Sequence, residues 1–243
     1  LIVSTIKQNK VWTNDITLWT KAIESNSENI IAYNKRGVAK AGIKDFDGAI
    51  QDYNKAISID ADFKDSYYNK GNANRELGNF VEAINDYNNA IKINSNYIEA
   101  YNNRGLAKAS TGDYSGAFAD YDYAIKLKPN FAEAYNNKAL LKTKLEDFKG
   151  AITDYDKAIS LKPDYAQAYH NRGLPKYRLG DIDGAINDCS KAIELNPNYA
   201  ETYNNRAFLK LSKGDKSSAC QDWHKASTLG LKEADAMIKQ YCN

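Results

Sequence analysis

Side chains suited to covalent or metal chemistry are scarce in this chain of 243 residues, which has three cysteines and two histidines. The cysteines at 189, 220 and 242 are odd in number and lack metal-ligand spacing, so the sequence predicts neither a disulfide framework nor a zinc site. Cys220 and His224 are four residues apart, as on one helix face, but Cys220 aligns with a column of core isoleucines. We therefore expect no catalytic residue, no metal and no cofactor, and predict that the chain is not an enzyme.

The charge balance argues against nucleic acid and lipid as direct partners. Lys and Arg together number 33 and Asp and Glu 31, which gives a net charge of +2. Sequence-independent binding of nucleic acid requires a basic surface, and this composition does not supply one. The chain also has no run of about 18 apolar residues, which a membrane-spanning helix needs. We expect no nucleic-acid partner and no direct membrane insertion by these residues.

Opposite charges recur every 34 residues. The basic column is Arg36, Lys70, Arg104, Lys138, Arg172 and Arg206. The acidic column lies 16 residues further on, at Asp52, Asp86, Asp120, Asp154, Asp188 and Asp222. We predict that each pair bridges the two halves of one repeat, as in Arg104 with Asp120, and forms a structural ladder. Partly shielded pairs of this kind contribute about 1 kcal/mol or less each.

An amide column follows the same spacing, at Asn69, Asn103, Asn137, Asn171 and Asn205. A side-chain amide offers one acceptor and two donors, yet Asn is a mediocre helix former. Three residues further on runs an apolar column, Leu106, Leu140, Leu174 and Phe208. The two columns together indicate a row of hydrogen-bonding groups beside an apolar stripe.

The repeat itself is marked by tyrosine at 33, 67, 101, 135, 169 and 203, always 34 residues apart. A second aromatic column reads Tyr53, Tyr87, Tyr121 and Tyr155, then Cys189 and Trp223. We predict six repeats flanked by a degenerate N-terminal repeat and a C-terminal capping helix. Their ranges are 1–29, then 30–63, 64–97, 98–131, 132–165, 166–199 and 200–233, then 234–243.

Each repeat has the pattern of two helices. Tyr101, Gly105 and Ala109 are spaced to form one face of a first helix, and Gly112 and Asp113 carry a stop and an N-cap signal. One such unit cannot bury its apolar face alone, so the repeats must stack into an all-α solenoid. Pro175 interrupts a first helix, where we expect a kink or a bulge.

These columns resemble the tetratricopeptide repeat family, whose units have 34 residues and an aromatic, Gly/Ala, Ala, aromatic, Ala, Pro signature. The match covers residues 30–233, although Ala61 and Ser95 replace the proline in the first two repeats. The resemblance implies a right-handed superhelix whose first helices line a concave groove. It also implies a role in binding proteins.

In the O-GlcNAc transferases, a comparable Asn ladder in a tetratricopeptide groove holds peptide backbone. By resemblance, the Asn column here would bind the backbone of an extended peptide and the Leu/Phe column its side chains. The alternative is that the Asn side chains are solvated or cap turns, while the leucines pack between first helices. A carboxylate clamp for acidic C-termini is not expected, because the groove positions it needs hold Asp65, Glu99, Glu133, Gln167 and Glu201.

The N-terminus allows two interpretations. The Asn9–Trp19 segment resembles the entry into tetratricopeptide arrays that follow the last membrane helix of glycosyltransferase-like proteins, with Leu1 ending that helix. Alternatively, Leu1 to Ile6 is the first helix of the degenerate repeat and buries Leu1, Val3 and Ile6. The compartment stays undetermined by sequence, although tethering through a preceding segment fits the first interpretation.

The sequence favours a non-catalytic module that binds an extended peptide of a protein partner. The alternatives are a self-assembling scaffold, with homo-oligomerisation through array ends or convex faces, and a substrate-presenting tail of a membrane-bound transferase.

Overall fold

The structure, a computed structural model, describes the backbone of residues 2–242 and the side chains of residues 12–242. The proposed end of a membrane helix at Leu1, and the predicted burial of Val3 and Ile6, lie outside the described residues. Within residues 2–242 every regular element is a helix, so the fold is an all-α helical-repeat solenoid, as predicted. The chain divides into two compact units, Leu1–Lys128 and Pro129–Asn243.

The N-terminal unit contains a long first helix and three helix pairs. Their bounds are α1 (Ile2–Ser25), α2 (Ile30–Gly42), α3 (Phe46–Ile59), α4 (Lys64–Glu76), α5 (Phe80–Ile93), α6 (Ile98–Thr111) and α7 (Tyr114–Leu127). The C-terminal unit contains three pairs and a final short helix. Their bounds are α8 (Ala132–Lys144), α9 (Phe148–Leu161), α10 (Ala166–Arg178), α11 (Ile182–Leu195), α12 (Ala200–Ser212), α13 (Lys216–Thr228) and α14 (Glu233–Tyr241).

The turn within each pair has the chemistry that the sequence indicates. Gly112 ends α6 with φ of 88°, a left-handed conformation that costs glycine little. The carboxylate of Asp113 then accepts a hydrogen bond of 2.9 Å from the backbone N–H of Gly116 and caps α7. A Cβ at Gly116 would lie 2.1 Å from that carboxylate, so this cap requires glycine. The same Asp-and-Gly cap begins α3, α9 and α11.

The core of the first three helix pairs is a tyrosine ring lying on a glycine. Tyr53 and Tyr121 are almost fully buried. A Cβ added to Gly37 or Gly105 would lie 2.5 or 2.7 Å from the ring of the tyrosine opposite. Small residues of the first helix therefore let the second helix approach closely, and the large ring fills the remaining space.

The N-terminal segment differs from the expectation of a short first helix over residues 1–6. Residues 2–25 form the single helix α1, and the ring of Trp12 lies against Gly42 of α2. The segment contains neither glycine nor proline, the residues that most often interrupt a helix. Among the residues that the structure describes, no helix is both long and apolar enough to cross a membrane.

Of the kink or bulge predicted at Pro175, the bulge is absent. Helix α10 runs as an uninterrupted α-helix from Ala166 to Arg178, and the proline ring is buried. Pro175 stands in the column of Ala107 and Leu209, which are also buried. The ring thus takes the place of a core side chain, and this packing offsets the loss of one backbone donor.

The last helix covers the end of the C-terminal unit. Ala234 is fully buried, and Met237, Ile238 and Tyr241 pack against the core around Trp223. The Tyr241 and Trp223 rings stack with centroids 5.5 Å apart. This contact shields an aromatic side chain that a terminal repeat would otherwise expose.

Two turns of the array contain a residue that is strained where its counterparts are glycine. Lys44 and Glu146 adopt φ of 66° and 62°, and the equivalent residues are Gly78, Gly112, Gly180 and Gly214. A left-handed conformation costs a non-glycine residue about 1–2 kcal/mol, and the added freedom of glycine in the unfolded chain offsets about 0.4–1 kcal/mol of that. We expect Glu146→Gly to raise the free energy of unfolding by about 0.5–1 kcal/mol. Urea denaturation followed by circular dichroism measures this change.

The matched control for that change is Gly180→Ala, at the equivalent turn of the next repeat. It should lower the free energy of unfolding by about 1 kcal/mol, because it introduces the strain that Glu146→Gly removes. Equal effects of the two substitutions, in sign and size, would contradict the assignment of strain to residue 146.

Candidate functional site

Five pairs of the charged columns form ion pairs between the two helices of a repeat. Four arginines bind the paired aspartate through both Nε and Nη2, at distances of 2.6 to 2.9 Å; they form the pairs Arg36–Asp52, Arg104–Asp120, Arg172–Asp188 and Arg206–Asp222. Lys70 makes the equivalent contact with Asp86 at 3.2 Å. Asp120 and Asp188 are buried, so the ladder lies inside the protein and not on its surface.

The sequence analysis missed a second cation on these aspartates. Five lysines, one helical turn after the basic column, reach the same carboxylates at 2.7 to 3.0 Å; they are Lys40, Lys108, Lys142, Lys176 and Lys210. In the second repeat Asn74 takes this position and donates to Asp86 at 2.8 Å. Burial raises the pKa of Asp86, and Lys70 and Asn74 compensate only in part. The signal available in the sequence was a second basic residue four positions after five of the six members of the basic column, on the same face of the first helix.

Each arginine also connects neighbouring repeats. Arg104 Nη1 donates to Asn88 Oδ1 at 2.6 Å, and Arg206 Nη1 donates to Ser190 Oγ at 2.9 Å. Arg172 makes the corresponding short contact with Asp156. One guanidinium therefore joins the second helices of two consecutive repeats, which a lysine, with a single nitrogen, is less suited to do.

The asparagine column is partly engaged between first helices. Asn69 Nδ2 donates to Asn34 Oδ1 at 3.0 Å, and Asn171 Nδ2 donates to Asn136 Oδ1 at 3.2 Å. Asn103 Nδ2 donates to Asn72 Oδ1 at 2.9 Å and lies 3.1 Å from the Tyr68 hydroxyl. The acceptors Asn34 and Asn136 are buried, so these bonds hold adjacent first helices together.

The five asparagines differ in exposure. The first four, Asn69, Asn103, Asn137 and Asn171, are half-buried, and Asn205 is exposed. Asn205 is therefore the most accessible member of the column. The preceding column, which contains Asn34, Asn102 and Asn136, was overlooked, although its amides recur at the same spacing.

The apolar column is most exposed in the C-terminal unit. Leu140, Leu174 and Phe208 are 43%, 49% and 44% exposed, whereas Leu106 of the N-terminal unit is half-buried. These three side chains lie on the first helices α8, α10 and α12. We call Leu140, Leu174 and Phe208 the apolar stripe.

The acidic column at the groove edge is partly paired within the protein. Asp65 Oδ1 accepts a bond of 3.1 Å from the Tyr97 hydroxyl, and Glu133 lies 3.3 Å from Lys162 Nζ. These contacts join a first helix to the segment before the next repeat.

The chemically reactive side chains differ from the sequence prediction in one respect. Cys220 and Cys242 form a disulfide bond, so the expectation of no disulfide was wrong. The bond links α13 to the end of α14, and it occupies the thiol that stands four residues before the exposed His224. Burial raises the pKa of the Cys189 thiol to about 12, so this thiol is neutral and a poor nucleophile at neutral pH.

Residues 12–242 contain no cluster of three or more His, Cys, Asp or Glu side chains that could hold a metal ion. His170 is largely buried, which lowers its pKa. Its Nδ1 lies 2.7 Å from the Thr202 hydroxyl, and its ring stacks on Tyr199. The imidazole thus joins two consecutive first helices, as the amides do elsewhere in the array.

Solved structures with a similar fold include tetratricopeptide repeat proteins. A tetratricopeptide repeat protein from Parabacteroides merdae has a TM-score of 0.75 and 22% identity, over 99% of this chain and 98% of that one. YrrB, described as a TPR protein with an unusual peptide-binding site, has a TM-score of 0.57 and 21% identity, over 81% and 97%. The hetero-tetramer Cut9–Hcn1 of the APC/C gives a TM-score of 0.81 at 16% identity, over 97% of this chain. The match spans 47% of that longer chain.

No curated protein sequence matches the chain significantly. Profiles of repeat families do match. The profile described as TPR repeat matches residues 44–78, 71–112, 140–180 and 175–214. The profile described as tetratricopeptide repeat matches residues 98–131. With more than half of its length matched and an unbroken series of paired helices, the chain belongs to the tetratricopeptide repeat family.

Proposed function

We propose that this protein binds an extended peptide segment of a protein partner along the first helices of its C-terminal unit. Tetratricopeptide repeats are typically protein-interaction modules. The feature that carries the proposal is the apolar stripe, because three large apolar side chains at equivalent positions of α8, α10 and α12 are each more than 40% exposed. An extended partner segment would remove this surface from water.

The amides beside the stripe support the same binding mode. The bond from Asn171 to Asn136 uses one of the two N–H groups of Asn171 and fixes the orientation of its amide. The second N–H of Asn171 is then held in a fixed orientation, so a backbone carbonyl of the peptide would accept from a donor that is already oriented. Asn205, which is exposed, offers both its donor and its acceptor to a ligand.

The charges near the stripe favour a neutral or basic segment. Glu201 is exposed at the start of α12, and Glu133 retains contact with solvent beside Lys162. Carboxylates at the edge of the stripe repel acidic ligands and attract basic ones. YrrB, which is described as having a peptide-binding site, is 21% identical to this chain. At that identity the likeness supports the fold, and peptide binding by this chain has to be tested directly.

The test is a random-peptide display screen on the whole chain, followed by affinity measurement on the enriched peptides by fluorescence anisotropy. Leu140→Ser with Leu174→Ser should weaken binding by about 10-fold or more, because the two lost apolar contacts are together worth about 1.4 kcal/mol or more. A second variant, Asn137→Ala with Asn171→Ala and Asn205→Ala, should weaken the same peptides by a similar factor.

The control changes equally exposed leucines that lie away from the stripe. Leu145 and Leu179 are 44% and 46% exposed and stand in the turns after α8 and α10. Leu145→Ser with Leu179→Ser should leave the affinity unchanged. A screen that enriches no peptide, or peptides whose affinity is the same for the stripe variant and the control, would overturn the proposal.

A further inference from the structure

The fifth repeat lacks the aromatic ring that fills the other pairs. Its second helix carries Cys189 where the other repeats have Tyr53, Tyr87, Tyr121, Tyr155 and Trp223, all buried. Its first helix nevertheless keeps Gly173 opposite that position. A Cβ at Gly173 would lie 3.5 Å from the Cys189 sulfur, whereas one at Gly71 would lie 2.7 Å from the ring of Tyr87. The volume of a phenol ring is therefore missing between α10 and α11.

The surrounding side chains leave this space open. A cavity of about 600 Å³ is lined by Gly173, Leu174, Tyr177, Cys189, Phe208 and others on α10, α11 and α12. Leu174, Tyr177 and Phe208 are each more than 40% exposed. The cavity thus opens beside the apolar stripe, and two members of that stripe line it.

The lining selects for one kind of occupant. Most of the lining is apolar, and the Cys189 thiol in it is buried and neutral. Asn205, Ser212 and His170 add a few polar groups. A site of this composition suits a group with an apolar body and at most one polar tip. The other five repeats show the kind of group that fits between these backbones, because an aromatic ring from the second helix, tyrosine in four of them and tryptophan in the sixth, fills that place.

We propose that the cavity beside Cys189 receives an aromatic side chain, Phe or Tyr, from the bound peptide, which replaces the ring that this repeat lacks. This inference rests on the proposed function and specifies its anchor. A fully desolvated aromatic residue in a preformed pocket is the type of contact that dominates interface affinity. The fifth repeat would then set the register of the peptide, and the amides would hold its backbone on either side.

The decisive variant is Cys189→Tyr, which restores the ring and fills the cavity. In the display screen, peptides enriched on the unchanged protein should carry Phe or Tyr at one fixed position. Cys189→Tyr should weaken them by about 10- to 100-fold, while versions of these peptides with Ala at that position bind both proteins equally. The control Cys189→Ala removes the thiol and keeps the cavity, so it should retain the affinity.

A second measurement does not depend on folding of the tyrosine variant. Titration of the unchanged protein with p-cresol, the side-chain analogue of tyrosine, should shift NMR signals of Gly173, Leu174 and Phe208. It should leave signals around Gly105, where Tyr121 already fills the space, unchanged. Enriched peptides without an aromatic preference, or equal affinities of the unchanged protein and Cys189→Tyr, would overturn this inference while peptide binding on the stripe still stands. Loss of binding in Leu140→Ser with Leu174→Ser, together with unchanged binding in Cys189→Tyr, would support peptide binding on the stripe and contradict the aromatic anchor.

Discussion

Replacing Asp188 with alanine is expected to lower the free energy of unfolding by about 3–5 kcal/mol, the usual cost of leaving a buried charge without its partner. Asp188 is 4% exposed and binds Arg172 through two nitrogens, at 2.6 and 2.7 Å. It also accepts from Lys176 at 2.9 Å. The substitution therefore leaves two cations facing each other in a partly desolvated site, where their repulsion is weakly screened.

The control for Asp188 acts on the same guanidinium. Asp156 contacts Arg172 as well, but it is 55% exposed. Exposed ion pairs contribute little because water and salt screen them, so Asp156→Ala should cost less than about 1 kcal/mol. Urea denaturation of both variants, followed by circular dichroism, compares them directly. Similar small losses would mean that the inner carboxylate is effectively solvated.

A double variant separates the cost of leaving one buried charge unpaired from the net stabilisation that the ion pair contributes. Arg172→Leu combined with Asp188→Ala removes both buried charges of the pair, and the side chain of Lys176 is long enough to reach solvent. We expect the double variant to lose less stability than the two single variants added together, by about 1 kcal/mol or more. An additive result would show that the pair is not coupled in the folded protein.

The sequence predicted most of the fold because the same columns recur in every repeat. A single repeat is weak evidence, but six repeats at a constant spacing of 34 residues indicate the helix pairs, their turns and the pairing of the charged columns. Local exceptions were harder to predict. Pro175 carries the strongest helix-breaking signal in the chain, yet α10 continues through it because its ring packs in the core. Tertiary packing overrode propensity there.

The candidate site was only partly predictable for a related reason. The position of the Asn column follows from the repeat, but its exposure depends on how closely adjacent first helices approach. That distance decides whether the Asn171 amide bonds Asn136 or water. Likewise, Cys189 breaks the aromatic column visibly in the sequence. Whether the neighbours would collapse into the space could be learned only from the placement of Leu174 and Phe208.

The disulfide was missed because three cysteines suggested no pairing by count alone. Sequence separation gives no guide here, since Cys242 follows α14 and its distance from Cys220 depends on how that helix folds back. The packing of Met237 and Ile238 on the core around Trp223 returns the chain to α13. Apolar burial thus brings the two thiols together, and the covalent bond then fixes an arrangement that packing has already made.

Changing Cys242 to serine is expected to lower the stability of the C-terminal end by about 3 kcal/mol, the stabilisation usual for a closed loop of this length. The bond joins residues 22 apart in sequence, so it restricts the unfolded chain between α13 and α14. In a repeat array each element is held mainly by its neighbours, and among the described residues α14 packs mainly against α13. The loss should therefore appear first as local opening of α14, while α10 and α11 keep their protection.

Hydrogen exchange resolves this expectation helix by helix. In Cys242→Ser, backbone amides of α14 should exchange roughly 100-fold faster, which corresponds to about 3 kcal/mol of local stability. Treating the unchanged protein with dithiothreitol should reproduce that pattern, and the reductant should have no further effect on Cys242→Ser. Equal exchange of α14 in the oxidised, reduced and substituted proteins would instead mean that the stacking of Tyr241 on Trp223 and the burial of Ala234 hold the helix without the bond.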